Sequence, residues 1–134
     1  MKLNSRRLTH EDYDTLIDWW KSWPDWVPLG RNLLPEDGTG GIMIERDGVP
    51  IVAGFLYSTN SKIAWMEWIV SNPKEKNKSD AILLLISSLE HWAKEGGFEV
   101  VLSIGRSKSL IEKHKTLGYT VDKDPSYEIT KKIQ

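Results

Sequence analysis

The stretch VSNPKEKNKSDAILLLI, residues 70–86, decides the fold of this chain. It leaves one apolar run, passes through a polar loop with three lysines, and enters a second apolar run. This order predicts a strand, a basic loop and a helix, an arrangement that can bind phosphate groups at the helix N-terminus. The loop contains no glycine, although the close approach of a phosphate to the backbone normally favours one.

The composition restricts the kind of protein that carries this loop. The chain has 134 residues, of which 40% are hydrophobic and 28% charged, as is usual for one globular domain spanning 1–134. It has no cysteine, and its three histidines lie far apart in sequence, so we expect neither a disulfide nor a metal site. The net charge of −1 gives no general attraction to nucleic acid or anionic membranes.

The same reasoning predicts where the protein resides. No apolar run approaches the roughly 20 residues that cross a bilayer, and the opening MKLNSRRLT lacks the apolar core of a signal peptide. We therefore expect a cytoplasmic protein that binds neither a membrane nor nucleic acid, as a monomer or a homodimer.

Upstream of residues 70–86, the pattern predicts a strand, a helix and a three-stranded meander. KLNSRRLT forms the first strand, and an apolar stripe from Tyr13 to Trp20 marks an amphipathic helix. Prolines then make residues 22–40 a loop with a short helical piece. GIMIER and VPIVAGFLY are two strands joined at Asp47-Gly48, and KIAWMEWIV is the third.

Downstream, a long helix opens at Ser79 or Asp80 and stops at Gly96-Gly97. FEVVLSI is a buried strand, a second helix covers residues 107–116, and YTV and SYEITKKI are predicted as two final strands. The step from KIAWMEWIV through the long helix to FEVVLSI has the length of a right-handed crossover, which makes those two strands parallel neighbours.

Two motifs in this order resemble the GNAT (Gcn5-related N-acetyltransferase) superfamily. Its first motif runs Gln or Arg, two residues, Gly, one residue, and Gly or Ala. KNKSDA matches it with Lys76, Ser79 and Ala81. After the next strand, SKSLIEKHKTLGY is similar to the second motif, with Ser107 in place of its asparagine and His114 in place of its tyrosine.

The resemblance implies an α/β (α+β) acyl-CoA N-acyltransferase fold. Such a fold has a mixed, mostly antiparallel sheet with one splayed parallel strand pair and helices on both faces. It also implies acetyl-CoA as co-substrate and no metal. Two departures stand out: Ser79 replaces a glycine, and Asp80 puts an anion beside the expected pyrophosphate. The residues implied in coenzyme binding are Ile69, Val70, Ser71, Lys76, Asn77, Lys78, Ser79, Asp80, Ala81 and Ser107.

The resemblance also implies two catalytic residues. Glu67 is the candidate general base, because a carboxyl group in an apolar strand has a raised pKa. The competing interpretation places Glu67 on the solvent face of the strand, without a role. His114 is the candidate acid that protonates the leaving thiolate, and its competing interpretation is a surface histidine near a helix C-terminus.

Four tryptophans in WWKSWPDWVP precede the meander, where the GNAT fold commonly covers its acceptor. Trp19, Trp23 and Trp26 are the candidate substrate residues. Trp19 and Trp26 are the better candidates for an exposed aromatic surface, whereas Trp20 and Trp23 also fit an ordinary core stripe. Carboxylates are frequent in the same region, and they form either an acidic rim that attracts a cationic amine or a solvated surface.

Two functions therefore stay open. One is an N-acetyltransferase that moves an acetyl group from acetyl-CoA to a primary amine of a small molecule or protein. The other is a catalytically inactive GNAT-fold module that binds a protein partner through its tryptophan-rich N-terminal surface. The retained motif order and Glu67 favour the enzyme, and the glycine-free loop and the missing tyrosine favour the binding module.

Overall fold

The structure is a computed structural model that describes residues 2–133. One sheet of five strands forms its centre, in the spatial order of the sequence: β1 (Leu3–Arg7), β2 (Gly41–Arg46), β3 (Val49–Tyr57), β4 (Ile63–Ser71) and β5 (Val100–Ser103). Three α-helices accompany it: α1 (Asp12–Ser22), α2 (Ser79–Glu95) and α3 (Lys108–Thr116). Two short 3-10 turns, Arg31–Leu33 and Pro35–Gly38, lie between α1 and β2.

The pairing of the strands is mixed, as the sequence predicts. Strands β1 to β4 pair antiparallel, and β4 and β5 pair parallel through the crossover helix α2. The turn at Asp47-Gly48 has positive φ angles of 52° and 82°, which suits a tight hairpin between β2 and β3.

Helices cover both faces of the sheet, because side chains alternate along each strand. On β2, Ile42 and Ile44 pack with the buried side of α2, whereas Met43 between them packs with Trp20 of α1. The same alternation separates Val52 from Ala53 on β3. The sheet is therefore the middle layer of a three-layer domain, which confirms the predicted helices on both faces.

The start of α1 is fixed by a polar cluster around Asp12. Its carboxylate accepts hydrogen bonds from Arg6 at 2.8 Å and 2.9 Å and from the backbone N–H of Thr9 at 2.8 Å. Thr9 and Asp12 thus form half of a capping box. Burial opposes ionisation of Asp12, but the bonds from Arg6 and Thr9 outweigh it and hold the pKa of Asp12 below its usual value.

The two predicted final strands, YTV and SYEITKKI, are wrong for this structure: residues 120–133 contain no strand. The segment carries the alternating pattern of a strand, yet Tyr127, Ile129 and Ile133 are 88–91% exposed. An alternating pattern makes a segment suitable for a sheet, but a strand forms only where a neighbouring strand is available to pair with it. Among the described residues, no helix is both long enough and apolar enough to cross a membrane.

Candidate active site at the splayed strands

The central feature of the site is the point where β4 leaves β5. The parallel pairing ends at Met66 and Ser103, but β4 continues to Ser71. Residues 67–71 of β4 therefore have no β5 neighbour, and we call this stretch the open edge. A peptide-like ligand can add to such an edge by main-chain hydrogen bonds.

A bulge in β4 marks the beginning of the open edge. Two residues of β4, Trp68 and Ile69, lie between Glu67 and Val70, whereas only Gly54 of β3 lies between their partners Phe55 and Ala53. The insertion lies at this pair of residues, and Trp68 has a φ angle of 58°, which is rare for an aromatic residue. Bulges of this kind redirect side chains and are frequent beside active sites.

Hydrogen bonds hold Trp68 in this conformation. Its indole N–H donates to the hydroxyl of Tyr57 at 2.9 Å, and that hydroxyl donates to the carbonyl of Leu33 at 2.9 Å. Burial raises the pKa of Tyr57, so its hydroxyl stays protonated as this second bond requires. The guanidinium of Arg106 lies 4.9 Å from the centre of the Trp68 ring.

Glu67 lies inside the bulge, at 9% exposure, and not on a solvent face. Its surroundings are more polar than the apolar strand suggests, because Arg106 donates to its carboxylate at 2.8 Å. Arg106 also donates to Glu128 at 3.1 Å. Arg106 lies in the loop between β5 and α3, so the element order alone does not place it beside Glu67.

His114 is buried at 4% exposure and both of its ring nitrogens are occupied. Nδ1 lies 2.8 Å from the carbonyl of Leu110, which requires a proton on Nδ1, and Nε2 shares a 2.8 Å hydrogen bond with the hydroxyl of Ser103. The ring also packs edge-on against Tyr119, with centroids 5.0 Å apart. The structure therefore uses His114 to fasten α3 to β5, and it is no surface histidine.

Ser107 caps α3 by accepting the backbone N–H of Leu110 at 3.1 Å. Its hydroxyl proton is not used by this bond and can be donated to a ligand. Ser107 is exposed, so the coenzyme role that the resemblance implies is sterically open to it.

The loop at residues 72–78 adopts its turn without a glycine. The left-handed residue is Asn77, with a φ of 56°, whereas Ser79 is the first residue of α2 and has no positive φ. Asparagine tolerates the left-handed region better than most residues. The glycine-free loop therefore closes without placing Ser79 in a strained conformation, and Ala81 is fully buried behind it.

Lys78 turns from this loop towards the open edge. Its ammonium group donates to the hydroxyl of Ser71 at 3.1 Å and to the carbonyl of Asn72 at 3.2 Å. Burial lowers the pKa of Lys78. Lys76, the residue at the basic position of the motif, is exposed.

Asp80 occupies part of the helix N-terminus. Its carboxylate accepts the backbone N–H of Ala81 at 2.8 Å and a bond from Arg46 of β2 at 2.7 Å. The bond from Arg46 lowers the pKa of Asp80, so the side chain is an anion. An N–H group that would favour a pyrophosphate is thus already bonded to a carboxylate.

The buried and accessible tryptophans are not the ones that the sequence predicts. Trp19 is 5% exposed and belongs to the core with Trp20, so the expectation of an exposed Trp19 is wrong. Trp26 is half-buried at the margin of that core. Trp23 donates its indole N–H to the carbonyl of Ser71 at 3.1 Å, which puts it against the expected coenzyme edge.

The remaining coenzyme candidates of the open edge differ in accessibility. Val70 is 3% exposed and faces the α1 side, whereas Ile69 is half-buried and packs towards α2. Val70 can therefore meet a ligand only through its backbone, whereas the side chain of Ile69 is partly accessible. Among residues 2–133, no group of three His, Asp or Glu side chains is placed to hold a metal ion.

Sequence comparison identifies no relative of this chain: no family model matches it, and no curated protein matches it. Solved structures do match. A transcriptional regulator from Bacillus halodurans C-125 superposes with a TM-score of 0.71 at 9% identity, over 96% of this chain and 100% of the other.

Two aminoglycoside acetyltransferases are also similar. One, from an uncultured soil metagenomic sample and in complex with trehalose, has a TM-score of 0.68 at 12% identity and covers 98% and 97% of the two chains. The other is AAC(6')-Iy in complex with the bisubstrate analogue CoA-S-monomethyl-acetylneamine, with a TM-score of 0.65 at 16% identity and coverage of 99% and 100%. These likenesses show that the chain has the GNAT acyl-CoA N-acyltransferase fold.

Proposed function

We propose that this protein is an N-acetyltransferase that moves an acetyl group from acetyl-CoA to a primary amine by direct attack. The observation that carries the proposal is the open edge, since β4 leaves β5 after Met66 and continues towards the N-terminus of α2. An acyl-CoA needs both features: backbone groups for its amide-containing arm and helix N–H groups for its pyrophosphate.

The residues that would hold acetyl-CoA fit it in part. The open edge offers backbone groups, and the first turn of α2 offers the N–H groups of Ser79 and Asp80. Trp23, Lys78 and Asp80 stand against the fit, because each already bonds a polar group of this site. Binding therefore requires these side chains to exchange their present partners for those of the coenzyme.

Glu67 and Arg106 supply the proposed chemistry. The attacking amine must lose a proton, and the Glu67 carboxylate at the bulge is placed to accept it, directly or through water. Arg106 fixes the position of that carboxylate through the 2.8 Å bond. A backbone N–H of the open edge would stabilise the oxyanion that forms on the thioester carbonyl.

The acceptor is proposed to be a cationic amine on a small molecule or a protein. Glu67 and Glu128 place two carboxylates around Arg106, so these three side chains together carry one excess negative charge. Two solved structures of the same fold are aminoglycoside acetyltransferases, one of them bound to a coenzyme A bisubstrate analogue. They support an amine acceptor for this chain without identifying it.

A second candidate is an inactive GNAT-fold module that binds a protein. Two observations favour it: His114 has no ring nitrogen left to protonate a thiolate, and Asp80 occupies an N–H of the helix N-terminus. A transcriptional regulator also has this fold, so the fold alone does not establish acetyl transfer.

Coenzyme titration separates the two candidates. Acetyl-CoA at 100 times its dissociation constant should stabilise the protein by about 2.7 kcal/mol, seen as a rise in the melting temperature. Ser79→Trp should abolish the rise by blocking the helix N-terminus, whereas Ser87→Trp, also exposed on α2, should keep it. Release of free thiol with a panel of amines then measures turnover.

No thermal shift at millimolar acetyl-CoA would rule out the enzyme. A shift that Ser79→Trp removes, together with thiol release that depends on an added amine, establishes it. A shift without thiol release from any amine supports the binding module.

A further inference from the structure

Arg106 binds two carboxylates with different nitrogens of one guanidinium. One terminal nitrogen donates to Glu67 at 2.8 Å, and the other donates to the two carboxylate oxygens of Glu128, at 3.1 Å and 3.3 Å. Only the first contact is needed to hold the proposed base in place. The second contact is therefore a carboxylate-binding position that the chemistry proposed above does not use.

The fold holds the two carboxylates to different degrees. The side chain of Glu67 is 11% exposed and belongs to the bulge of β4, whereas that of Glu128 is 45% exposed. Glu128 lies in a segment without helix or strand, and its neighbours Tyr127 and Ile129 are 88% and 91% exposed. Little packing has to be broken for Glu128 to leave, so a carboxylate from solution can take its place on Arg106.

The surroundings of this position indicate what such a carboxylate belongs to. The Arg106 guanidinium lies 4.9 Å from the centre of the Trp68 ring, where the open edge begins. Glu67 is bound to the same guanidinium. A molecule whose carboxylate replaces that of Glu128 therefore has its other atoms close to Glu67, and an amine a few bonds away can give its proton to Glu67.

We infer that the acceptor is an amino acid whose free carboxylate binds Arg106 in place of Glu128. The inference rests on the proposed acetyl transfer and narrows its acceptor to an amino-carboxylate. Glu128 is then an internal competitor for the acceptor. The charges suit this exchange, because one carboxylate replaces another and the amine of the acceptor brings the positive charge that the three side chains lack.

The reaction of such an acceptor is the one already proposed. The amine nitrogen forms a bond to the acetyl carbonyl carbon, and the bond from that carbon to sulfur breaks. One amine proton passes to Glu67, and coenzyme A leaves as a thiolate that takes a proton from solvent. The carboxylate on Arg106 does not react, and its role is to hold the amine beside Glu67.

Matched pairs of acceptors test the inference. Each standard amino acid is compared with its own carboxamide by thiol release from acetyl-CoA. The amine of the carboxamide is less basic, so more of it is unprotonated at neutral pH and the chemistry alone favours the carboxamide. We expect kcat/KM of the preferred amino acid to exceed that of its carboxamide by about tenfold or more, because the carboxamide lacks the charged hydrogen bonds to Arg106.

Three variants assign the preference to named side chains. Glu128→Ala removes the competitor, so KM for the amino acid should fall about threefold more than KM for the carboxamide. Glu112→Ala removes a carboxylate that is 58% exposed on α3, and it should leave the preference unchanged. Arg106→Lys keeps the charge but loses the planar fork, and it should bring the two acceptors close to equal.

The possible failures can be told apart. Equal thiol release with amino acids and carboxamides would overturn the inference and leave acetyl transfer standing. A rise in KM for both acceptors in Glu128→Ala would also overturn it, because Glu128 would then bind the amine. No thiol release from any amine would remove the proposed acetyl transfer, and this inference with it.

Discussion

The guanidinium of Arg106 and the carboxylate of Glu67 meet at 2.8 Å, although 39 positions separate them in the sequence. Arg106 comes from the loop after β5 and Glu67 from the bulge of β4, so the contact joins the two strands where their backbone pairing has ended. The Arg106 cation compensates the charge of the buried Glu67 carboxylate, and it fixes the position of this proposed base. Its consequences can be tested in the free protein.

Arg106→Ala should lower the free energy of unfolding by about 1–3 kcal/mol, because Glu67 loses the cation that compensates its burial. The double variant Arg106→Ala/Glu67→Gln should recover part of this loss, since the uncompensated charge is gone. Urea unfolding of the four proteins measures the coupling. Lys108→Ala, at an exposed neighbouring position, serves as the control. Single-variant losses that simply add in the double variant would contradict the coupling.

Asp80→Asn should strengthen binding of coenzyme A. Removing a negative charge at the helix N-terminus frees Arg46 and ends the repulsion of a phosphate, a gain of about 0.3–1 kcal/mol, or roughly two- to fivefold in Kd. Calorimetric titration at low and high salt measures it, and the gain should shrink with added salt. Asp124→Asn, an exposed aspartate outside the site, should leave the Kd unchanged. Weaker binding by Asp80→Asn would mean that the carboxylate helps the coenzyme.

Asn77 carries the left-handed backbone conformation of the loop, so substitutions there should depend on backbone tolerance. Asn77→Val should destabilise the protein by about 1–2 kcal/mol, because a branched side chain clashes in this region. Asn77→Gly should be nearly neutral, because glycine adopts positive φ freely. Thermal unfolding compares the two variants, and equal losses for both would show that the asparagine side chain, not its backbone angle, matters.

Asp12 should make the domain sensitive to acid. Its pKa is lower in the folded protein than in the unfolded chain. Its contribution is therefore fully present above the unfolded pKa and is lost as the pH falls through the folded pKa. Asp12→Asn should cost about 1–3 kcal/mol at neutral pH and should flatten the acid limb of the stability profile. Asp18→Asn, on the exposed side of α1, should keep the parent's slope; an unchanged acid limb in Asp12→Asn would refute the assignment.

Local periodicity predicted most of the fold. The long helix was expected to open at Ser79 or Asp80 and to stop at Gly96-Gly97, and α2 spans Ser79–Glu95. The crossover length gave the parallel pairing of β4 with β5, which the register confirms. These features depend on residues close in sequence, where side-chain spacing and helix-ending glycines act directly.

Contacts between distant residues could not be predicted in the same way. Trp19 lies at the edge of the α1 stripe, and only its packing against the sheet shows that it is buried at 5% exposure. The bond from Trp23 to Ser71 spans 48 positions, and no spacing rule connects them. The alternating pattern of residues 126–133 predicted a strand, but the structure has none there, because strand formation also needs a neighbouring edge that no local pattern specifies.

The bulge at Trp68 inverts the parity of β4. Before it, even-numbered residues such as Ala64 and Met66 pack towards α2; after it, Ile69 packs towards α2 and Val70 towards α1. Deleting one residue at the bulge would restore simple alternation and exchange the two faces for every residue that follows. A single inserted residue thus gives the two halves of β4 opposite alternation. The half before the bulge pairs with β5, and the half after it leads towards the helix that begins at Ser79.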